Sequence, residues 1–224
     1  MYVVFVHFLR FGQGIAHFAS TLLLGIVLWG FFAEATTQGM QAIVNRGDLL
    51  RKINFPKYLL VISATISALI NLVLNLCIVL VIMLVDGVDF GWSSLVFPVT
   101  LLLLYGFSLA LAFLLAAVNV KYRDVAHIWE IFLQAMFYAT PIIYPLQTVM
   151  MFNEDAAKFL MLNPVAVLLQ DARAQLVGHD NVITASQIFS SIVWLSVPYA
   201  VMALTVVFAT WYFRSKQGKF AEMI

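Results

Sequence analysis

Charged side chains are scarce in this chain. They make up 10% of its 224 residues, where a soluble globular domain carries about a quarter. Cysteine is scarcer still. Cys77 stands alone between Leu76 and Ile78, so no internal disulfide can form and the thiol reads as apolar filler. The four histidines, His7, His17, His127 and His179, are scattered without ligand spacing, so no metal centre is expected. No G-x-x-x-x-G-K-[ST] loop occurs, which excludes ATP hydrolysis by that route. Acidic and histidine clusters of the kind an intramembrane hydrolase needs are missing too. No basic stretch is interleaved with exposed aromatics, so nucleic-acid binding has no support.

What the chain has instead is long uncharged sequence. Hydrophobic residues form 63% of it, and mean hydropathy is +0.99. Charge-free runs cover Phe11–Ala33, Tyr58–Val85, Phe90–Val120, Ile131–Asn153 and Asn181–Phe213. Each reaches the ~20 residues that a membrane-crossing helix requires. The fold class expected is an all-α polytopic membrane protein, one domain over residues 1–224 with five full spans. Met1–Leu9 is apolar but too short to cross, and without a basic start or cleavage site it is no signal peptide. It reads as the later part of a first span, so the chain looks truncated at its N-terminus. A short interfacial anchor is the alternative.

Basic residues set the orientation. Arg46, Arg51, Lys52 and Lys57 share one junction, Lys121 and Arg123 another, and Arg214, Lys216 and Lys219 the C-terminal tail. Five crossings put all three on one face, which the positive-inside rule makes cytoplasmic. The opposite face holds Arg10, Lys158 and Arg173 against Asp86, Asp89, Glu154, Asp155, Asp171 and Asp180.

Within the runs, Ser63, Ser67, Asn71 and Asn75 recur every four residues and so share one helix face. In lipid such a stripe favours helix-to-helix contact; a polar path is the alternative. No run carries a charged residue near its middle, which argues against an ion-coupled carrier.

Three segments depart from plain spans. In residues 46–56, Asp48 can cap a short helix that gathers Leu49, Leu50 and Ile53 on one side, with Arg51 and Lys52 beside them, before Pro56. This is either a basic juxtamembrane loop or a docking helix for a cytoplasmic partner. In Phe132–Pro145, Pro141 and Pro145 strip the carbonyls of Phe137 and Pro141 of their helical donors. The helix should kink or end there, and those carbonyls need other partners. Phe137, Tyr138 and Tyr144 surround the break, as interfacial belt residues or as an aromatic constriction. In residues 153–180, Asn163-Pro164 starts a helix over Val165–Val177 that Gly178 ends. It is too short to cross, and Asp171 and Arg173 interrupt its apolar pattern. An outer re-entrant or interfacial helix is expected.

Taken together, these segments resemble a known family. FFAEATTQGMQAIVNRGDLLRKINFPKYLLVISATISALINLVLN, NVKYRDVAHIWEIFLQAMFYATPIIYP and FRSKQGKFAEMI are similar to the permease subunit of ABC-2-type exporters of O-antigen, capsule and teichoic-acid polysaccharides. The resemblance runs from about Trp29 to the C-terminus. It implies a multi-pass protein of the bacterial inner membrane with its C-terminus in the cytoplasm. It also implies a non-enzymatic permease that dimerises, pairs with two ATPase subunits and moves a lipid-linked glycan. The chain itself would bind no cofactor; ATP and Mg would be used by the partner. Gly47, Asp48, Leu49, Leu50, Arg51, Lys52 and Ile53 would form the coupling helix. Tyr122, Arg123 and Asp124 would stabilise the cytoplasmic mouth, Phe137, Tyr138 and Tyr144 would line the glycan path, and Pro164–Val177 would be an outer gate. A permease for a small lipid or drug, and a membrane scaffold or carrier-lipid enzyme, are the competing functions.

Overall fold

A computed structural model describes residues 17–47, 56–178, 182–189 and 191–220. The described residues form helices and no strand. We label the helices α1 (Phe18–Gln41), α2 (Tyr58–Val85), α3 (Phe97–Lys121), α4 (Val125–Ala139), α5 (Leu146–Phe152), α6 (Glu154–Leu160), α7 (Pro164–Val177), α8 (Ala185–Ile188) and α9 (Ile192–Lys216). Four of the described segments are long and apolar enough to cross a membrane: α1, α2, α9, and α3 together with the 3-10 turn before it, Trp92–Lys121.

The run Ile131–Asn153 carries the break expected at its two prolines, so it is not one helix. Chain direction is lost after Ala139, and Leu146–Phe152 is a separate short helix. Neither piece has the length of the other spans, because absence of charge does not make a helix continuous where two prolines withhold their amide hydrogens. The first run also ends later than its charges suggest. Helix α1 continues through Glu34 to Gln41, so one long apolar helix does carry a carboxyl group.

The ends of α2 follow from local chemistry. Its 28 residues contain no glycine or proline. Pro56 and Lys57 carbonyls accept the amides of Leu59 and Leu60 at its start. At its end Gly87 takes φ +75°, a left-handed turn that glycine adopts without a Cβ penalty. The amide of Val88 then reaches the Met83 carbonyl and that of Gly87 the Leu84 carbonyl, a Schellman closure.

The chain packs as two compact units. One comprises the described parts of Gly30–Val73, Leu104–Met136 and Val201–Ile224. Its core joins Ile43, Leu60, Val61, Ala112, Ala116, Val120, Phe213 and Phe220. Small residues let backbones approach here, as they do between membrane helices. A Cβ built on Gly39 would stand 2.5 Å from the Ala112 Cβ and 3.3 Å from the Thr65 Cγ2. A Cβ cannot swing aside, so Gly39→Ala should destabilise the purified chain by about 1–3 kcal/mol. Ala112→Gly in the same chain should restore most of the loss. Thermal unfolding in detergent checks both, and an unchanged midpoint for Gly39→Ala would refute the close contact.

The other unit comprises the described parts of Met1–Trp29, Leu74–Leu103 and Phe137–Ala200. Its core includes Leu146, Ala157, Met161, Ala166, Val167, Ile188 and Phe189. Here the short helices gather around α7.

Candidate functional site

Helix α7 begins where the sequence says it should. The Asn163 side chain accepts the Val165 amide, and Pro164 occupies the first turn, where a missing N–H costs nothing. It stops at Gly178, which has φ +103°. The sequence expectation is an outer re-entrant or interfacial helix. The structure buries eleven of its fourteen residues, Gln170 and Arg173 among them.

Arg173 is 3% exposed and organises the surrounding backbone. Its Nε donates to the Thr21 carbonyl at 3.0 Å. Nη1 donates to the Pro141 carbonyl at 2.6 Å and to Gln170 Oε1 at 2.9 Å. Nη2 donates to the Ile142 carbonyl at 2.7 Å. The guanidinium is a rigid fork of five donors, and four bonds from it reach α1, the turn after α4 and its own helix. Space for it comes from Gly25, where a Cβ would stand 2.0 Å from Nη2. Burial pushes its pKa down to about 10, which leaves it protonated at neutral pH.

This clamp explains how the break after α4 is tolerated. The Pro141 carbonyl cannot receive a helical bond because residue 145 is proline. Arg173 supplies the donor. The Tyr138 carbonyl is taken by the Tyr144 hydroxyl at 3.0 Å, and Asn163 Nδ2 donates to Thr140 Oγ1 at 3.0 Å. Further bonds fix α7 on its other sides. Ser93 and Ser94 donate to the Gln175 carbonyl, Thr100 donates to Gln175 Oε1, and Tyr199 donates to Asp171 at 2.8 Å.

The aromatic residues at the break have different surroundings. Phe137 packs edge-on against Trp29 at 6.1 Å and against Tyr138 at 5.5 Å. Tyr144 is half-buried and held by its hydroxyl. Tyr138 is 72% exposed and offers an open ring face.

The remaining sequence-derived residues lie elsewhere. Tyr122, Arg123 and Asp124 form the exposed turn between α3 and α4. The Lys121 Nζ lies over the Tyr122 ring at 4.8 Å, and the Asp124 carbonyl accepts the Ile128 amide. Gly47 closes a 3-10 turn over Val44–Arg46 in right-handed helical geometry. Asp48, Leu49, Leu50, Arg51, Lys52 and Ile53 lie outside the described residues. No group of metal-ligating side chains occurs among the described residues.

Sequence reasoning missed Arg173. It registered orphaned carbonyls at the prolines and a basic residue inside an apolar helix, yet counted the second as a surface charge. Joining the two needs only the rule that buried carbonyls find donors.

A sequence model of the ABC-2 type transporter family matches residues 1–176. The O-antigen export system permease protein RfbA of Myxococcus xanthus is 33% identical over 214 residues, which cover 95% of this chain and 78% of that protein. Two Klebsiella pneumoniae proteins of the same name are 20% and 21% identical over 156 and 159 residues. Each alignment covers 69% of this chain and 59% of the relative.

Proposed function

The chain belongs to the ABC-2 type transporter membrane family, and on that footing we propose that it is the membrane subunit of an ATP-driven exporter of lipid-linked polysaccharide. The observation that carries this reading is its 33% identity to an O-antigen export permease across 95% of its length. The absence of a Walker-type phosphate loop from the sequence fits a subunit that draws force from a separate ATPase. Two copies with two ATPase subunits would make the working assembly in the bacterial inner membrane.

The basic junctions fit this topology. Lys121 and Arg123 can share the cytoplasmic face with Arg214 and Lys216 only if the chain crosses once more between them, in addition to α9. We assign that crossing to α4 and the turn of residues 140–145, the fifth beside α1, α2, α3 and α9. The segment from Gly47 to Ile53 would receive the ATPase stroke and pass it to the spans as a rigid-body displacement. Tyr122, Arg123 and Asp124 would stabilise the mouth on the same side. Helix α7 would act as the outer gate, held by Arg173. Phe137, Tyr138 and Tyr144 would stand along the glycan path, with Tyr138 presenting the ring on which a sugar can stack.

Affinity purification of the chain, expressed with the ATPase subunit of a polysaccharide export system from the same cell, tests the assembly. The expected result is a complex with equal amounts of the two polypeptides and vanadate-sensitive ATP hydrolysis. A chain that purifies alone and leaves the ATPase rate unaffected would contradict it. Tyr138→Ala should lower polymer export severalfold at unchanged protein abundance, because a stacking contact is worth about 1 kcal/mol or more. Export that merely follows abundance would return Tyr138 to the lipid belt.

A further inference from the structure

Glu34 lies within α1 and is bound to the middle of α2. Its Oε1 accepts hydrogen bonds from Asn71 Nδ2 at 2.7 Å and from Gln38 Nε2 at 2.9 Å. Asn71 stands about midway along the 28 residues of α2, roughly 20 Å from either end at the helical rise. The carboxyl group is therefore held at the depth of the hydrocarbon core. Glu34 is half-buried, while Gln38, Ser63, Ser67 and Asn71 are exposed on the same unit. Glu34 Oε2 accepts no hydrogen bond among the described residues.

Lipid is a poor occupant of this face. Ionisable groups in membrane helices face the protein interior or water, because hydrocarbon satisfies neither the carboxyl nor the amides. Elsewhere the exposed positions of the four apolar helices are mainly aliphatic or aromatic, such as Ile78, Val81, Leu102, Leu103, Leu204, Val207 and Phe208. Among the described residues of those helices, a carboxyl group bonded to side-chain amides occurs only where α1 meets α2. A second copy meeting this face by two-fold symmetry would bring carboxyl against carboxyl. Sugar hydroxyls suit it better, since each both donates and accepts. An open carboxyl oxygen with neighbouring amides and hydroxyls matches that chemistry.

We propose that Glu34, Gln38, Ser67 and Asn71 form a hydrogen-bonding subsite for the polyhydroxylated cargo inside the membrane. This rests on the export function proposed above and adds a polar wall that the aromatic residues near the helix break do not supply. Glu34 binds the sugar directly through Oε2, while Asn71 and Gln38 fix its rotamer through Oε1.

The test starts from a Cys77→Ser chain that displays polymer at the cell surface as the unaltered chain does. A failure at this step strikes the export function and not the subsite. Gln38→Cys and Ser67→Cys are then introduced singly and treated with a membrane-impermeant maleimide in inverted and right-side-out vesicles. The ATPase is blocked with vanadate after export has begun so that polymer stalls in transit, and vesicles from cells unable to make polymer serve for comparison. Both cysteines should label from at least one side, and stalled polymer should slow labelling severalfold. Glu34→Leu should cut export at least tenfold at equal abundance, and Glu34→Gln, which keeps an acceptor oxygen, should cut it less. Disulfide cross-linking of two copies through Ser67→Cys without maleimide labelling would make the face a subunit contact and overturn the proposal. Absence of both reactions would assign the face to lipid and overturn it equally. Labelling that polymer leaves unchanged, with full export by Glu34→Leu, would remove the glycan as its occupant.

Discussion

Arg173→Leu should cost about 2–6 kcal/mol, the loss expected when two buried carbonyls are left without a donor. The loss has an identifiable origin. The Pro141 and Ile142 carbonyls each take a donor from this guanidinium, and a buried carbonyl left unpaired costs about 1–3 kcal/mol. At this chain length the unfolding midpoint should fall by on the order of 10 °C. Arg173→Lys keeps the charge but replaces the fork by a single ammonium, so it should fall between the two. Gly25→Ala approaches the same contact from the opposite side, because its new Cβ would occupy the position of Nη2. Alone it should be severely destabilising. In an Arg173→Ala background it should be close to neutral, since the clashing group is gone. Such non-additivity is what a direct contact produces in a double-mutant cycle. Additive effects, or an Arg173→Leu chain within about 1 kcal/mol of the parent, would show that the clamp does not hold the helix break.

Reversal of both charges in the basic junction, Arg51→Glu with Lys52→Glu, should weaken capture of the ATPase by at least tenfold, about 1.4 kcal/mol. Like charges set face to face across an interface cost several kcal/mol, so a larger loss would be no surprise. Two neutral replacements, Arg51→Gln with Lys52→Gln, should lose less, because they remove attraction without adding repulsion. Membrane insertion should be unaffected in both, as the remaining basic residues at Arg46, Lys57, Lys121, Arg123, Arg214 and Lys216 still dictate orientation. Co-purification measured against total inserted chain separates these effects. Capture and export at parental levels would relocate the docking surface.

Much of the helical layout is legible without coordinates. Gly87 ends α2, and Asn163-Pro164 and Gly178 bracket α7, because these residues act through their own backbone chemistry. What could not be read depends on partners distant in sequence. Glu34 looks like the boundary of a charge-free run, yet α1 passes through it because Asn71 and Gln38 supply its hydrogen bonds. Arg173 looks like a surface charge because its partners are main-chain carbonyls, and carbonyls leave no mark in a sequence. The run Ile131–Asn153 has the length of a span by hydropathy alone, while Pro141 and Pro145 mark in the sequence where its helix ends. Phe137, Tyr138 and Tyr144 are equivalent as letters. Their different packing around one turn separates an anchor, an open ring and a hydroxyl that bonds the Tyr138 carbonyl where the helix ends.

The central claim is that this chain carries a polysaccharide across the membrane with force supplied by another polypeptide. Surface polymer measures it most directly, in cells that build the lipid-linked glycan but lack their own export permease. Supplying the chain with its ATPase should move polymer to the outside, and an ATPase unable to hydrolyse ATP should leave it on its carrier within. Polymer that reaches the surface without the chain, or stays inside when both active subunits are present, would contradict the claim.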